Sequence, residues 1–240
     1  MPGLTARILP VDELRARDRN EMFGVYAQYY DGTSREIFEA DLEEKQQALV
    51  LRDTEDVIQG FTTIAVTETL HEGAALRAIF SGDTIISRAY WGSQQLAFTW
   101  IRHAGKVKAE RPEVPLYWFL IVKGHRTYRF LPTFSVDFHP HWERPIPTRT
   151  KQIMDRLAGE RFGEAYDRDS GIIRFPKSRG HVKCDLAQVS DSRARRKDVA
   201  FFLARNPGYA AGHELVCLTE LSLENLRPIA RRQFEQGLNA

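Results

Sequence analysis

The sequence predicts an α/β protein, a mixed sheet flanked by helices, with an elaborated C-terminal half. Three observations predict it. Stretches rich in β-branched residues, such as VIQGFTTIAVTET, alternate with segments whose apolar residues recur at helical spacing, such as Leu96, Trp100, Ala104 and Val107. The run VPLYWFLIV, residues 114–122, is apolar without a break and suits a strand buried on both faces. ALRAIFSGDTIIS follows the first of these strands after a short loop around LHEGA, so the two read as an antiparallel hairpin.

The elements follow in order. Ala6 to Leu9 form a short strand, and Asp12 is placed to cap a helix over residues 13–30 that ends in Tyr26, Tyr29 and Tyr30. DGTS is turn chemistry, and Ser34 caps a second helix to about Gln47, with Ile37, Phe38 and Leu42 inward. ALVLRD is a strand, and residues 53–56 turn into the hairpin. A helix runs from Ser93 to about Lys108, followed by the buried strand, which Lys123 and Gly124 close. HRTYRFL supplies one or two helical turns stopped by Pro132, and HPHWERPIPTRT is a Pro-rich connector. TKQIMDRLAGERFG is helical, GIIRF and ELVCLTE are late strands, and a terminal helix over 222–236 kinks or begins at Pro228. The expectation is a single domain over 1–240, with a core over 1–135 and an elaboration over 136–240 that completes the sheet.

Composition narrows the function. A net charge of +2 is too weak to argue for nucleic acid. Cys184 and Cys217 are far apart and belong to no CxxC pair, so a reducing compartment fits better than a disulfide framework. The N-terminal stretch lacks an apolar signal core, and no run approaches the roughly 20 apolar residues of a membrane helix. These readings point to a cytoplasmic protein without a membrane span.

The stretch SGDTIISRAYWGSQQLAFTW passes from strand to helix through Arg88 and Gly92. A helix start offers unpaired N–H groups and partial positive charge, and a glycine there lets a ligand approach. Such a start suits phosphate, with Ser93 as N-cap and Arg88 adding formal charge; the bland alternative is a glycine that only makes a turn.

The order of elements over residues 5 to about 135 resembles the GNAT superfamily, the Gcn5-related N-acyltransferases. TARILPVDEL resembles that family's first strand and turn, and VIQGFTTIAVTE its third strand. ALRAIFSGDTIIS resembles the fourth strand, and YWGSQQLAFTWIRHA the pyrophosphate loop and its helix. VPLYWFLIV resembles the fifth strand and GHRTYRFLPTF the short helix after it. The loop departs from the family pattern: Ala89 stands three before Gly92 and Gln94 two after it, with Arg88 one place off. The resemblance implies an acyl thioester donor, acyl-CoA or CoA-linked, lying between the fourth and fifth strands, and a small-molecule amine acceptor. Ile85, Ile86 and Ser87 would pair with pantetheine, and Arg88, Gly92, Ser93 and Gln94 would hold pyrophosphate. Acyl carrier protein is a second donor that the resemblance allows, and no metal is implied.

Tyr128 lies where GNAT enzymes often carry the tyrosine that protonates the leaving thiolate; the alternative is a tyrosine packed on the sheet. Asp83 shares a strand face with Ser81 and Ile85 under two-residue alternation; its alternative is a β-bulge after Gly82. His125, after Gly124 at the end of a buried strand, is the second acid–base candidate. His139, His141 and Glu143 could serve a metal-dependent hydrolase, but the flanking prolines favour a loop packed on the sheet. Arg193, Arg195, Arg196 and Lys197 form the densest basic run, a solvated face or a dock for an acidic partner. The rival to an enzyme is a non-catalytic GNAT-like binding or regulatory module.

Overall fold

Strand backbones need partners, and every long strand read from the sequence finds one. A computed structural model describes residues 3–240. In chain order it contains β1 (Thr5–Pro10), α1 (Ala16–Tyr26), β2 (Tyr30–Asp31), α2 (Arg35–Glu43), β3 (Gln47–Arg52), β4 (Ile58–His71), β5 (Ala74–Ile86) and α3 (Gln95–Glu110). Then come β6 (Leu116–Val122), α4 (His125–Tyr128), α5 (Phe130–Phe134), α6 (Thr148–Phe162), β7 (Tyr166–Asp167), β8 (Ile172–Ile173) and β9 (His181–Val182). The chain ends with α7 (Cys184–Ala187), α8 (Asp191–Ala194), α9 (Lys197–Arg205), β10 (Glu214–Glu220) and α10 (Pro228–Leu238). It divides into two compact units. Unit 1 comprises the described residues up to Gln28, with Ser34–Leu116 and Leu221–Ala240; unit 2 comprises Tyr29–Thr33 and Tyr117–Glu220.

In unit 1 the strands lie in the order β1-β3-β4-β5, each pair antiparallel. The hairpin closes through a two-residue turn, Glu72–Gly73, in which both residues have positive φ; such turns match the twist of the strands they join. Phe38 of α2 meets Phe61 of β4 and lies against Phe23 and Tyr26 of α1. α3 packs against β1, β3 and β4, and α10 lies along α3. Strand, two helices, three antiparallel strands and a helix is the GNAT-like order expected, and the α/β class holds.

The first helix begins later than its sequence suggested. Asp12 sits in a 3-10 turn, Val11–Glu13, and does not cap α1. The start is fixed instead by Asp18, whose carboxylate accepts from the Arg15 backbone at 3.0 Å and from Arg52 of β3 at 2.6 Å. Burial alone would raise the Asp18 pKa, but the hydrogen bonds from Arg15 and Arg52 outweigh it and bring it to about 2. Ser34 does cap α2, accepting from Ile37 N at 3.3 Å, but the helix stops at Glu43, because Gln47 is taken as the first residue of β3.

In unit 2, β6 pairs antiparallel with β10, β10 with β8, and β8 with β7. A separate two-stranded ladder joins β2 and β9. Of GIIRF only Ile172–Ile173 is strand. Pro132 does not stop a helix. It is the third residue of α5, where an N–H would have no intrahelical partner and proline is tolerated. The HPHWE loop packs on the sheet, as expected: His139 exchanges backbone hydrogen bonds of 2.8 Å with Leu218 of β10. Both cysteines are free thiols, and no helix among the described residues is long and apolar enough to cross a membrane.

α3 and α10 touch at glycines. A Cβ on Gly237 would lie 1.9 Å from the Arg102 carbonyl oxygen, and one on Gly105 would lie 2.2 Å from that of Phe234. Gly237→Ala should therefore push the helices apart and cost about 1–3 kcal/mol. Gly24→Ala, in α1 with open space around it, should gain about 0.5–1 kcal/mol from helix propensity. Urea denaturation of both variants checks the pair; equal effects would refute the close-packing account. Asp18→Asn should cost about 1–3 kcal/mol by removing the closest of the three carboxylates that pair with the buried Arg52, Glu21 and Asp56 remaining at 3.6 Å. In the parent, the Asp18 contribution should be present above about pH 4 and fade as pH falls toward 2, which acid titration of stability would show.

Candidate functional site

The sequence candidates fall in both units. Asp83 and the stretch from Ile85 to Gln94 belong to unit 1, Tyr128 and His125 to unit 2.

The approach to the loop in unit 1 is bent. Ser81 pairs with Ile64 and Thr84 with Thr62, so Gly82 and Asp83 together oppose the single residue Thr63. This is a β-bulge, and it breaks the strict alternation that would place Ser81, Asp83 and Ile85 on one face. Beyond it the Thr62 and Thr84 hydroxyls meet at 2.7 Å and regular pairing resumes. Ser87 N–H donates to Gln59 at 2.7 Å. Backbone groups alternate direction along a strand, so those of Ile86 point away from β4. The Ile86 carbonyl accepts the Trp91 indole N–H at 2.9 Å.

The turn itself is closed by its own backbone. Tyr90 N–H donates to Ser87, Trp91 to Arg88, and Ser93 to Tyr90 at 3.0 Å. Trp91 has φ −61° and ψ 134°, and Gly92 has φ 94°. These are the central residues of a type II turn, whose third position favours glycine because it needs positive φ. Gly92 is exposed, with nothing near the place of a Cβ. The backbone thus accounts for Gly92 without any ligand.

Two expectations change. Ser93 is not the N-cap; Gln94 is, and it makes no side-chain capping bond. Ser93 N–H is committed to Tyr90, and its hydroxyl accepts from Gln95 N at 3.3 Å. What remains at the helix start is favourable to an anion. α3 has no acidic residue in its first turn, and the N–H groups of Gln94, Leu96 and Ala97 are among those a helix leaves without an intrahelical partner. Arg88 is exposed, its guanidinium 5.8 Å from the Trp91 ring centre.

In unit 2 the two acid–base candidates are part of the core. Tyr128 is fully buried among Phe138, Phe201 and Phe202, and its hydroxyl donates to the Pro140 carbonyl at 2.7 Å. Burial pushes its pKa well up. This geometry is that of the packed tyrosine. His125 is also buried; burial first, then the charges of Arg126, Arg193 and Arg129, bring it from 6.5 to about 4. His141 Nδ1 accepts from Glu143 N at 3.0 Å, and Glu143 pairs with Lys197 at 2.9 Å. Among the described residues no group of three or more His, Cys, Asp or Glu side chains could hold a metal ion.

The sequence reading missed what holds the loop, the Trp91 indole on Ile86. A tryptophan five residues beyond a strand-end carbonyl has no sequence signature; only the turn makes the pair.

Two measurements follow. Gly92→Ala should cost about 1 kcal/mol because φ is positive, so an acidic substitution there tests strain and charge together. Gly92→Asn should cost less, since asparagine tolerates that region; a Gly92→Ala protein as stable as the parent would refute the turn assignment. His125 is neutral when folded down to about pH 4 and protonates near 6.5 when unfolded. Its contribution to stability is therefore lost as pH falls from about 6.5 toward 4. His125→Gln should flatten the stability profile over that window, as read by thermal melts.

No family model and no curated protein matches the chain. Among solved structures it is similar to a conserved Enterococcus faecalis protein of unknown function described as a probable N-acyltransferase. That likeness has 13% identity and a TM-score of 0.38, and covers 53% of this chain and 31% of that one. The GNAT family N-acetyltransferase YhbS of Escherichia coli, in complex with CoA, is similar at 18% identity and a TM-score of 0.38, over 56% of this chain and 71% of that one. NAA60 of Arabidopsis thaliana, in complex with a bisubstrate analogue, is similar at 13% identity and a TM-score of 0.39, over 56% and 86%.

Proposed function

We propose that the protein is an N-acyltransferase that moves an acyl group from an acyl-CoA thioester to an amine. One observation carries this reading: residues 85 to 97 present, in sequence, a strand end whose Ile86 backbone faces away from β4, an exposed arginine, and an acid-free start of a 16-residue helix. Pantetheine is a chain of amides suited to a strand edge, and pyrophosphate is an anion suited to a helix start. Ile85, Ile86 and Ser87 would meet the amides. Arg88 and the N–H groups of Gln94, Leu96 and Ala97 would meet the pyrophosphate, with Gly92 shaping the turn. The amine nitrogen attacks the thioester carbon, the carbon–sulfur bond breaks, and the proton that the nitrogen loses ends on the thiolate. Holding the two reactants in line supplies much of the rate.

The commitment of Tyr128 to Pro140 favours a second reading, a module that binds the donor without turnover. Assaying free-thiol release against a panel of amines separates the two: release above the rate without protein supports the enzyme.

Gln94→Asp is the cleaner test of the loop. Aspartate at this exposed N-cap interacts well with the helix dipole, so thermal stability should hold or rise. Its carboxylate should repel pyrophosphate and weaken acetyl-CoA binding at least about tenfold, about 1.4 kcal/mol, measured by calorimetry. Donor amides that pair with Ile86 should also displace the Trp91 indole and change tryptophan fluorescence. A parent that binds no CoA, or a Gln94→Asp protein that binds it unchanged, would sink the reading.

A pH profile tests the proton path. An alkylammonium ion holds its proton up to a pH of about 10.4, and His125, held below its ordinary range by burial, is a poor base for it. The rate should therefore rise with pH along the acceptor's own titration, with no inflection from His125. A step that disappears in His125→Gln would contradict this.

A further inference from the structure

We propose that unit 2 carries a separate binding site for a small organic oxyanion, a phosphate ester or carboxylate borne on a flat body. The site is a cavity of about 440 Å³ whose lining includes Arg129, Pro132, Trp142, Arg196, Lys197 and Asp198. Its construction argues for a ligand of that class.

Asp198 is the anchor. It is mostly buried and receives Arg129 Nε at 3.3 Å and Arg196 through Nε at 3.2 Å and Nη2 at 3.3 Å. Against the effect of burial, the bonds and charges of Arg196 and the charge of Arg129 keep its carboxyl below the usual range. One carboxylate thus holds two guanidinium groups, and a positive excess remains. Arg129 is held through its Nε edge, which leaves its two terminal nitrogens to donate to a second oxyanion. Lys197 adds a third cation, paired with the exposed Glu143 at the rim, where such a pair is weak.

Trp142 supplies the flat surface. Its ring stacks on His141 at 4.3 Å and 25°, and Phe138 backs it at 5.5 Å. A fixed indole beside two oriented guanidinium groups suits an anion attached to a ring better than a bare ion.

The test uses the full chain with three probes: phenyl phosphate, benzoate and inorganic phosphate, titrated by calorimetry. At least one ring-bearing probe should bind, and more tightly than inorganic phosphate. The tighter of the two assigns the ester or the carboxylate. Arg129→Gln with Arg196→Gln should weaken it by about tenfold or more, and added salt should weaken the parent complex. Trp142→Leu should remove the advantage of the ring-bearing probe over inorganic phosphate. Thermal melts verify folding, and if the double variant is unfolded, Arg129→Gln alone must show the loss. No binding by either ring-bearing probe, inorganic phosphate binding as tightly, or unaltered affinity in the arginine variant would each overturn the proposal. So would complete displacement of the probe by saturating acetyl-CoA, which would make the cavity the donor's own phosphate site.

Discussion

The near-contact of two helix backbones closes unit 1. α10 can lie along α3 only because Gly105 and Gly237 carry no side chains at the crossing. Arg102 of α3 and Gln233 of α10 add a hydrogen bond of 2.7 Å beside it. The contact matters because unit 1 is discontinuous. The chain leaves it after Leu116, builds most of unit 2, and returns at Leu221. On return, Leu221 N–H donates to the Leu116 carbonyl at 2.8 Å, so the exit and the re-entry are joined within unit 1. A single hydrogen bond contributes little net stability. The burial of Phe234 and Ala230 with α10 on α3 contributes far more.

The fold was legible where local pattern and tertiary demand agree. β4 and β5 were readable because β-branched residues on either side of Glu72–Gly73 specify a hairpin. β6 was readable because seven consecutive residues offer no polar face, and all but the half-buried Tyr117 and Ile121 are buried. The missed boundaries have specific causes. Helix α1 is set by a carboxylate that reaches across to β3, a partner 34 residues away in sequence. Pro132 looked like a stop, but a break after Arg129 makes it part of a new first turn.

The candidate site was legible as a location rather than as geometry. Arg88 to Gln94 stood out because a strand runs directly into a helix, and the structure gives that helix an acid-free start. The bulge at Gly82–Asp83 was one of two readings for Asp83, and it prevailed because the pairing register slips by one residue. The glycine was the harder case. The same residue type serves a phosphate or a type II turn, and only the φ of Gly92 and the Ser93–Tyr90 hydrogen bond separate the two.

Tyr128 and His125 show what residue type and chain position leave out, the surroundings of the side chain. Both end a buried strand region where functional groups often gather, yet both are enclosed by unit 2's own core. A hydroxyl donated to a backbone carbonyl is already satisfied, and surrendering it would leave a buried acceptor unpaired. A buried imidazole on which the charges of Arg126, Arg193 and Arg129 also act is poorly placed to hold a proton. Arg129, one of the charges that act on His125 after burial, also lines the neighbouring cavity and with Arg196 makes it attractive to an oxyanion. Charge density in unit 2 therefore argues for recognition of an acidic group, while any transfer chemistry under the proposed reading must draw on alignment of the reactants and on the acceptor's own acidity.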